Sequence, residues 1–401
     1  MPFNIPLRPP VALAPASAPP PKAEAVVGAE AGVPAKFAIR WLYWRATQWL
    51  LVALGIQTLA ALMPSIVEVV YSQKIYHFVS RSLSIINRIF TFSVGEVFLV
   101  ALVIWFILWA LWYMRRAFRG ESRFFDVIKL LLLHMLWSFA VLYFIFLMFW
   151  GLNFQRMPIA DTWGLERRPA RSDELQAIGA RIVDGINRNY RDASEGQDWA
   201  RSSTLPVTRQ RLNQALETSF QNTTLLQEAS QGGLGIPKSL YFTRMAGYMG
   251  YSGIYMPFTG EPTINDTIPP AELPFAMANQ KAHQRGFARE DEANFVAYVI
   301  CTNADDPYVR YSGYLHGVKV LDVIERAGIS GLKGSIGPGP SADLDASRQF
   351  WATVKNPDIS SMSTQLLSAY LRLNRVRSGV ANYDEDIPLI IGFYLKNSGR
   401  E

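Results

Sequence analysis

One cysteine, Cys301, is all the chain has in 401 residues. A framework of intramolecular disulfides is therefore excluded, while the compartment stays open, because bacterial extracytoplasmic domains often lack disulfides. There is no dense basic tract and no aromatic motif of the RNA-binding kind. Nucleic acid is thus not an expected partner, despite a formal net charge of +6. The glycines at 232, 233 and 235 match no phosphate-loop pattern and read as a turn that ends a helix. No internal repeat of solenoid type is visible. No apolar run follows a short basic start, so the N-terminus does not read as a signal peptide. Residues 1–40 are expected to form a disordered tail. They are rich in proline and alanine, with three prolines at Pro19–Pro21, and cannot bury a core.

Half of the residues are hydrophobic, and the mean hydropathy is slightly positive at +0.09. The apolar residues crowd into 41–152. Three long runs lie there, near 46–63, 94–114 and 130–150. Each approaches the roughly 20 residues that a helix needs to cross about 30 Å of hydrocarbon. Trp41, Trp44, Trp49, Trp112, Tyr113 and Trp150 lie near their ends, as an aromatic belt would. The second loop carries Arg115, Arg116, Arg119, Arg123 and Lys129, and the N-terminal flank carries Lys36, Arg40 and Arg45. The first loop has fewer cations over a longer span. The positive-inside rule then places the N-terminus in the cytoplasm and everything after Trp150 outside. The first loop is partly helical in pattern and suits an interfacial position. Glu96 and His134, in or near the spans, read as structural groups.

From Gly151 the composition becomes that of an ordinary globular chain. Ser172 reads as the N-cap of a helix running to about Tyr190, and a second amphipathic helix is expected over Thr208–Glu228. Strand-like alternation marks Lys238–Arg244, Gly253–Phe258 and Glu261–Asp266. Pro257 and Pro262 interrupt this run and point to an edge strand rather than a central one. Further helices are expected after Pro307, over Asp343–Val354 and Ser363–Val376, and over Tyr383–Lys396 with a break near Pro388. Gly328–Pro340 reads as flexible loop.

Ala271–Ile300 carries the chemistry. It reads as a helix, a sharp break at Gly286 and a second helix beginning near Arg289. The first helix presents Asn279, Gln280 and His283 in the frame of H-E-x-x-H. In that motif two histidines four residues apart share one helical face and one metal, and the glutamate activates the metal-bound water. Here only the last of those three functional letters stands. Asn offers a weak neutral ligand, and Gln has nearly the shape of Glu but takes no proton at neutral pH. On the next helix Glu290 and Asn294 share a face, so Glu290 suits a third ligand and Asn294 a supporting position behind it. Glu292 competes for the ligand role but faces largely away from Glu290. Tyr308, Arg310, Tyr311 and His316 follow, and Tyr311 and His316 are candidates to face the cleft and steady an oxyanion.

These stretches resemble a bacterial family of three-span membrane proteins with a zincin-like peptidase domain after the last span. The resemblance covers roughly residues 45–396. It rests on VEVVYSQKIYHFVSR, FTFSVGE, FWGLNFQRMP, GIYMPFTGEPTIND, LPFAMANQKAHQRGFAREDEANFVAYVIC, VRYSGYL and GVANYDEDIPLIIGFYLK. Members usually read H-E-x-A-H-Q-x-G where this chain reads Asn279-Gln280-Lys281-Ala282-His283-Gln284-Arg285-Gly286. The resemblance implies a mainly α chain, with a three-helix transmembrane region and then, over 153–401, an extracytoplasmic α+β zincin-like domain with a small sheet. It implies zinc as the family's cofactor, ligand positions at Asn279, His283 and Glu290, and the general-base position at Gln280. The expected protein is a membrane-anchored, metallopeptidase-like chain of the bacterial inner membrane, impaired or inactive in catalysis. The alternative is a non-enzymatic protein that uses the same cleft to hold an extended peptide along the edge strand at 254–266.

Overall fold

The computed structural model describes residues 35–119, 124–194, 207–226 and 234–398. Most of the expected N-terminal tail, Arg123, most of the loop after Tyr190, and Gly232 with Gly233 lie outside these residues.

Helix α1 (Ala35–Leu62) ends just before Pro64. A second helical stretch follows as α2 (Pro64–Ile66), a π-helical run Val67–Ile75, and α3 (Tyr76–Asn87). The axis turns by 96° at the break between the two stretches. Helices α4 (Val94–Phe118) and α5 (Phe124–Phe149) come next. Both are long and apolar enough to cross a membrane, and a third span is reached only if α1 and the bent stretch count as one. In α5, His134 Nδ1 is 2.8 Å from the Leu130 carbonyl oxygen and its ring packs on Trp109 and Tyr113. That is a structural role, as its sequence context suggests.

After a 3-10 turn at Gly151–Gln155 come α6 (Ile159–Thr162), α7 (Ser172–Ala193) and α8 (Arg209–Asn222). Ser172 is the first residue inside α7 rather than its cap, because Glu174 reaches back to accept from the Arg171 amide at 2.8 Å. Thr208 caps α8. Strand β1 is only Lys238–Ser239, and Thr243–Met249 forms helix α9. The long strand expected over 238–244 is therefore cut short.

Strands β2 (Gly253–Met256) and β3 (Glu261–Ile264) complete a three-stranded sheet in the order β1-β3-β2. β3 runs parallel to β1 and antiparallel to β2. Pro262 thus stands in the central strand, against expectation, and within 254–266 only β2 is an edge strand. The alternation explains why proline is tolerated. Asn265 donates to Ser252 on the β2 side, so Thr263 and Glu261 also face β2 while Pro262 faces β1. β1 pairs only with Thr263 and Ile264, so no ladder bond is lost at Pro262.

The remaining helices are α10 (Leu273–Gln284), α11 (Glu290–Thr302), α12 (Pro307–His316), α13 (Val318–Arg326), α14 (Pro338–Val354), α15 (Pro357–Leu373) and α16 (Asp386–Ser398). Two expectations shift here. Pro338 and Pro340 belong to the first turn of α14 rather than to a loop, and Pro388 lies in the first turn of α16 and does not break it. First-turn amides have no partner inside a helix, so proline costs nothing there.

Two clusters of buried apolar residues hold the chain together. The larger gathers α7, α8, α11, α12 and α13 around Ile182, Leu216, Phe295, Tyr298 and Leu321. The smaller joins the span region to the later residues: Tyr71, Tyr76, Phe146 and Trp150 pack with Tyr255, Ala288 and Leu371. Polar contacts reinforce that junction. Glu261 of β3 accepts from the Val94 and Gly95 amides at 3.1 and 2.7 Å, capping the start of α4. Glu68 and Arg156 form a buried pair at 2.6 Å.

Candidate functional site

Helix α10 ends in a Schellman arrangement. Gly286 adopts φ +88°, and the amides of Phe287 and Gly286 return to the carbonyls of Ala282 and His283 at 3.2 and 2.9 Å. Only glycine takes this left-handed conformation without strain. The reversal folds α11 back against α10 and brings Glu290 and Asn294 to the face that bears Asn279 and His283.

Four polar side chains meet there. His283 Nδ1 lies 2.8 Å from the Phe287 carbonyl oxygen and so donates its proton to it, which turns Nε2 toward Glu290 Oε2 at 3.1 Å. Asn279 Nδ2 donates to Glu290 Oε1 at 3.2 Å and to Asn294 Oδ1 at 2.9 Å. Gln280 Nε2 donates to Asn279 Oδ1 at 2.8 Å. Glu290 therefore bridges Asn279 and His283. Gln280 Oε1 is buried with no hydrogen-bond partner among the described residues.

Strand β2 runs alongside. A Cβ at Gly253 would lie 2.8 Å from Gln280 Cγ and 2.6 Å from the Thr263 carbonyl oxygen, so the strand can approach this closely only at a glycine. The ring of Tyr255 lies 6.4 Å from that of His283.

The C-terminal carbonyls of α10, which no helical amide reaches, are held by residues of the span region. Trp150 Nε1 donates to the His283 carbonyl oxygen at 3.1 Å. The hydroxyls of Tyr76 and Ser80 donate to that of Gln284 at 2.9 and 2.8 Å. Arg156 donates to the Gly286 carbonyl oxygen at 3.1 Å and lies over the Phe287 ring. None of these residues stood out in the sequence as part of a site. Trp150 read as a belt aromatic, Tyr76 lay in the first loop, and Arg156 lay just past the last apolar run. On the opposite face of α10, Lys281 is fully buried and paired with Glu217, which also binds Arg285 at 2.8 Å. Burial lowers the Lys281 ammonium to about 8.

Of the other candidates, Glu292 is turned away. It accepts from the Ile159 amide at 2.7 Å and pairs with Arg289. Tyr311 donates its hydroxyl to Asp343 at 2.7 Å, and Tyr308 donates to the Pro270 carbonyl oxygen. Arg310 binds Asn189 at 2.6 Å. None of these three presents its polar end to the cluster. His316 lies nearer. Its ring stacks on Phe275, one turn before Asn279, with centroids 3.8 Å apart, and its Nε2 donates to Asp386 Oδ2 at 2.8 Å. Burial lowers its pKa by more than the Asp386 carboxylate raises it.

The zinc implied by the resemblance does not fit this donor set. A catalytic zinc needs three protein ligands and an open position. Here Asn279 turns its NH₂ toward Glu290 and spends its oxygen on Gln280, which leaves His283 and Glu290. Among the described residues no group of three or more His, Cys, Asp and Glu side chains could hold a metal ion.

A family profile described as protein of unknown function (DUF3810) matches residues 71–391, which contain every residue of this cluster and its contacts from Tyr76, Trp150 and Arg156. The chain belongs to the DUF3810 family. Searches of curated proteins and of solved structures returned no match. In DUF3810 terms, the matched stretch begins in the π-helical run before α3 and ends in α16, so it takes in both the apolar helices α4 and α5 and the later helices with their sheet.

Proposed function

We propose that this is a membrane-anchored, zinc-metallopeptidase-like protein whose N-Q-x-x-H cleft is closed by its own hydrogen bonds and does not hydrolyse peptides. One observation carries the reading. Glu290 bridges Asn279 and His283, so the positions of a metal tripod converge on a carboxylate instead of an ion. Gln280 occupies the place of the general base and cannot take the proton of a bound water. The zincin-like reading rests on this placement and on the motif's frame. The N-terminus is cytoplasmic, and the part after Trp150 faces the outside of the inner membrane, following the charge of the loops. Metal content of the wild type beside Asn279→His/Gln280→Glu tests the proposal. The reading expects no metal in the first and one zinc in the second.

A second reading, capture of an extended peptide without chemistry, is favoured by β2. Its outward backbone groups at Gly253 and Tyr255 face away from β3, and β2 is the edge beside Gln280 and His283. An edge of this kind accepts an added strand. Photo-crosslinking from Ile254 and Met256 should trap a peptide segment, and an absence of adducts removes this reading.

A further inference from the structure

After Trp150, the most exposed large apolar side chains lie where later segments are tied to the helices that precede it. Glu96, in the first turn of α4, is buried and accepts from the amides of Tyr241 and Phe242 at 2.8 and 3.0 Å. Lys238 donates to the Phe92 carbonyl oxygen at 2.8 Å and fixes the same loop. Tyr241, Phe242 and Met245 nevertheless stand out at 85%, 49% and 49% exposed. The second place is the end of α15. Gln57, near the end of α1, donates to the Leu373 carbonyl oxygen at 2.9 Å, and Arg375 donates to Thr58 at 2.9 Å. On α15, Met362 and Leu366 are 59% and 65% exposed. The end of α1 and the start of α4 are separated in the chain by the bent helical stretch Pro64–Asn87. Helices α9 and α15 also touch each other, through Tyr251 and Ser363 at 2.6 Å just beyond α9.

We propose that Tyr241, Phe242 and Met245, with Met362 and Leu366, form a monotopic anchor that dips into the lipid leaflet at the start of α4 and seats the later helices on the bilayer. The occupant of this apolar face is the protein's own membrane. A backbone held by the first turn of a span lies at the level where that span leaves the hydrocarbon, so this face is continuous with the lipid contact of α4. A tyrosine beside a phenylalanine there matches the chemistry of the headgroup boundary, with an apolar ring below and a hydroxyl in water. Apolar groups exposed together at such a level mark a membrane contact rather than scattered surface residues. The consequence for the site is positional. β2, an edge strand, follows α9 directly in the chain, so a ligand of that edge would arrive along the membrane surface.

The test uses the full chain in vesicles of phosphatidylcholine and phosphatidylglycerol, with nitroxide labels on single added cysteines. Native Cys301 is fully buried and its thiol is pushed up by burial, so it stays unlabelled. Tyr241→Cys, Met245→Cys and Leu366→Cys are compared with Asp184→Cys on the exposed face of α7. Glu96 holds backbone amides, so the Tyr241 change leaves that contact in place. The proposal expects labels at 241, 245 and 366 to collide with oxygen but not with an aqueous nickel chelate, at a depth of about 5–10 Å into the boundary. Nickel collision equal to that at Asp184→Cys overturns it. Protection from both reagents also overturns it, and would mean that a protein surface covers the patch.

Discussion

Trp150 donates its indole N–H to the backbone carbonyl of His283 at 3.1 Å. The residue that follows the last apolar helix thus holds the helix that carries the motif. Through Tyr76 and Ser80, the bent stretch after α1 does the same one residue further along. The cluster is set by the helices up to Trp150 as much as by its own loop.

Removing that grip should loosen the site before the fold. Trp150→Phe takes away the donor and leaves a buried carbonyl with weaker partners, at a cost of about 1–3 kcal/mol. Thermal unfolding in detergent should show the loss. Hydrogen exchange should show it concentrated at Ala282–Phe287. A uniform change along the chain would contradict the assignment.

Glu68 and Arg156 are a buried pair in which the arginine also serves the Gly286 carbonyl. Glu68→Gln strands a buried guanidinium, and breaking such a pair costs about 3–5 kcal/mol. Chemical unfolding should register a loss of that order, with Arg156→Gln in the same background adding little further. Additive losses would show that the two groups act separately.

Gln280→Glu alone should destabilise the protein. Gln280 Nε2 now donates to Asn279 Oδ1 at 2.8 Å. A carboxylate would set acceptor against acceptor in a buried place near Glu290, at about 1–3 kcal/mol. Unchanged stability of this single variant would argue that the position is wetter than its burial shows.

The helices were legible because their apolar spacing and their proline and glycine limits are local. The pairing of Glu290 rather than Glu292 with the His283 face also followed from spacing, and the structure brings Glu290 to His283 while Glu292 serves the Ile159 amide. The sheet was less legible. Pro262 signals an edge only if both sides of its strand are fully paired, and the shortness of β1 comes from the turn into α9. Tyr311 was misread toward the cleft because helical spacing does not reveal its buried partner, Asp343. Tyr76 and Trp150 were invisible as site residues because their partners lie 208 and 133 residues away.

Acid should act through His316. Its folded-state pKa is lowered from the ordinary value by burial, so the unfolded chain takes the proton first as pH falls. Stability from this group is full above the unfolded value near 6.5 and is lost as pH drops from there toward its lower folded-state pKa. Unfolding free energy should therefore fall between about pH 7 and pH 5, and His316→Gln should lose less over that interval. An equal loss in both proteins would place the acid sensitivity elsewhere.

The most direct measurement is the zinc content of the purified wild type and of Asn279→His/Gln280→Glu, by elemental analysis after equal exposure to zinc. The account predicts none in the wild type, where Glu290 is bonded to Asn279 and His283. It predicts one zinc per chain in the double variant, where two histidines and Glu290 supply three ligands. A stoichiometric zinc in the wild type, or none in a folded double variant, would contradict it.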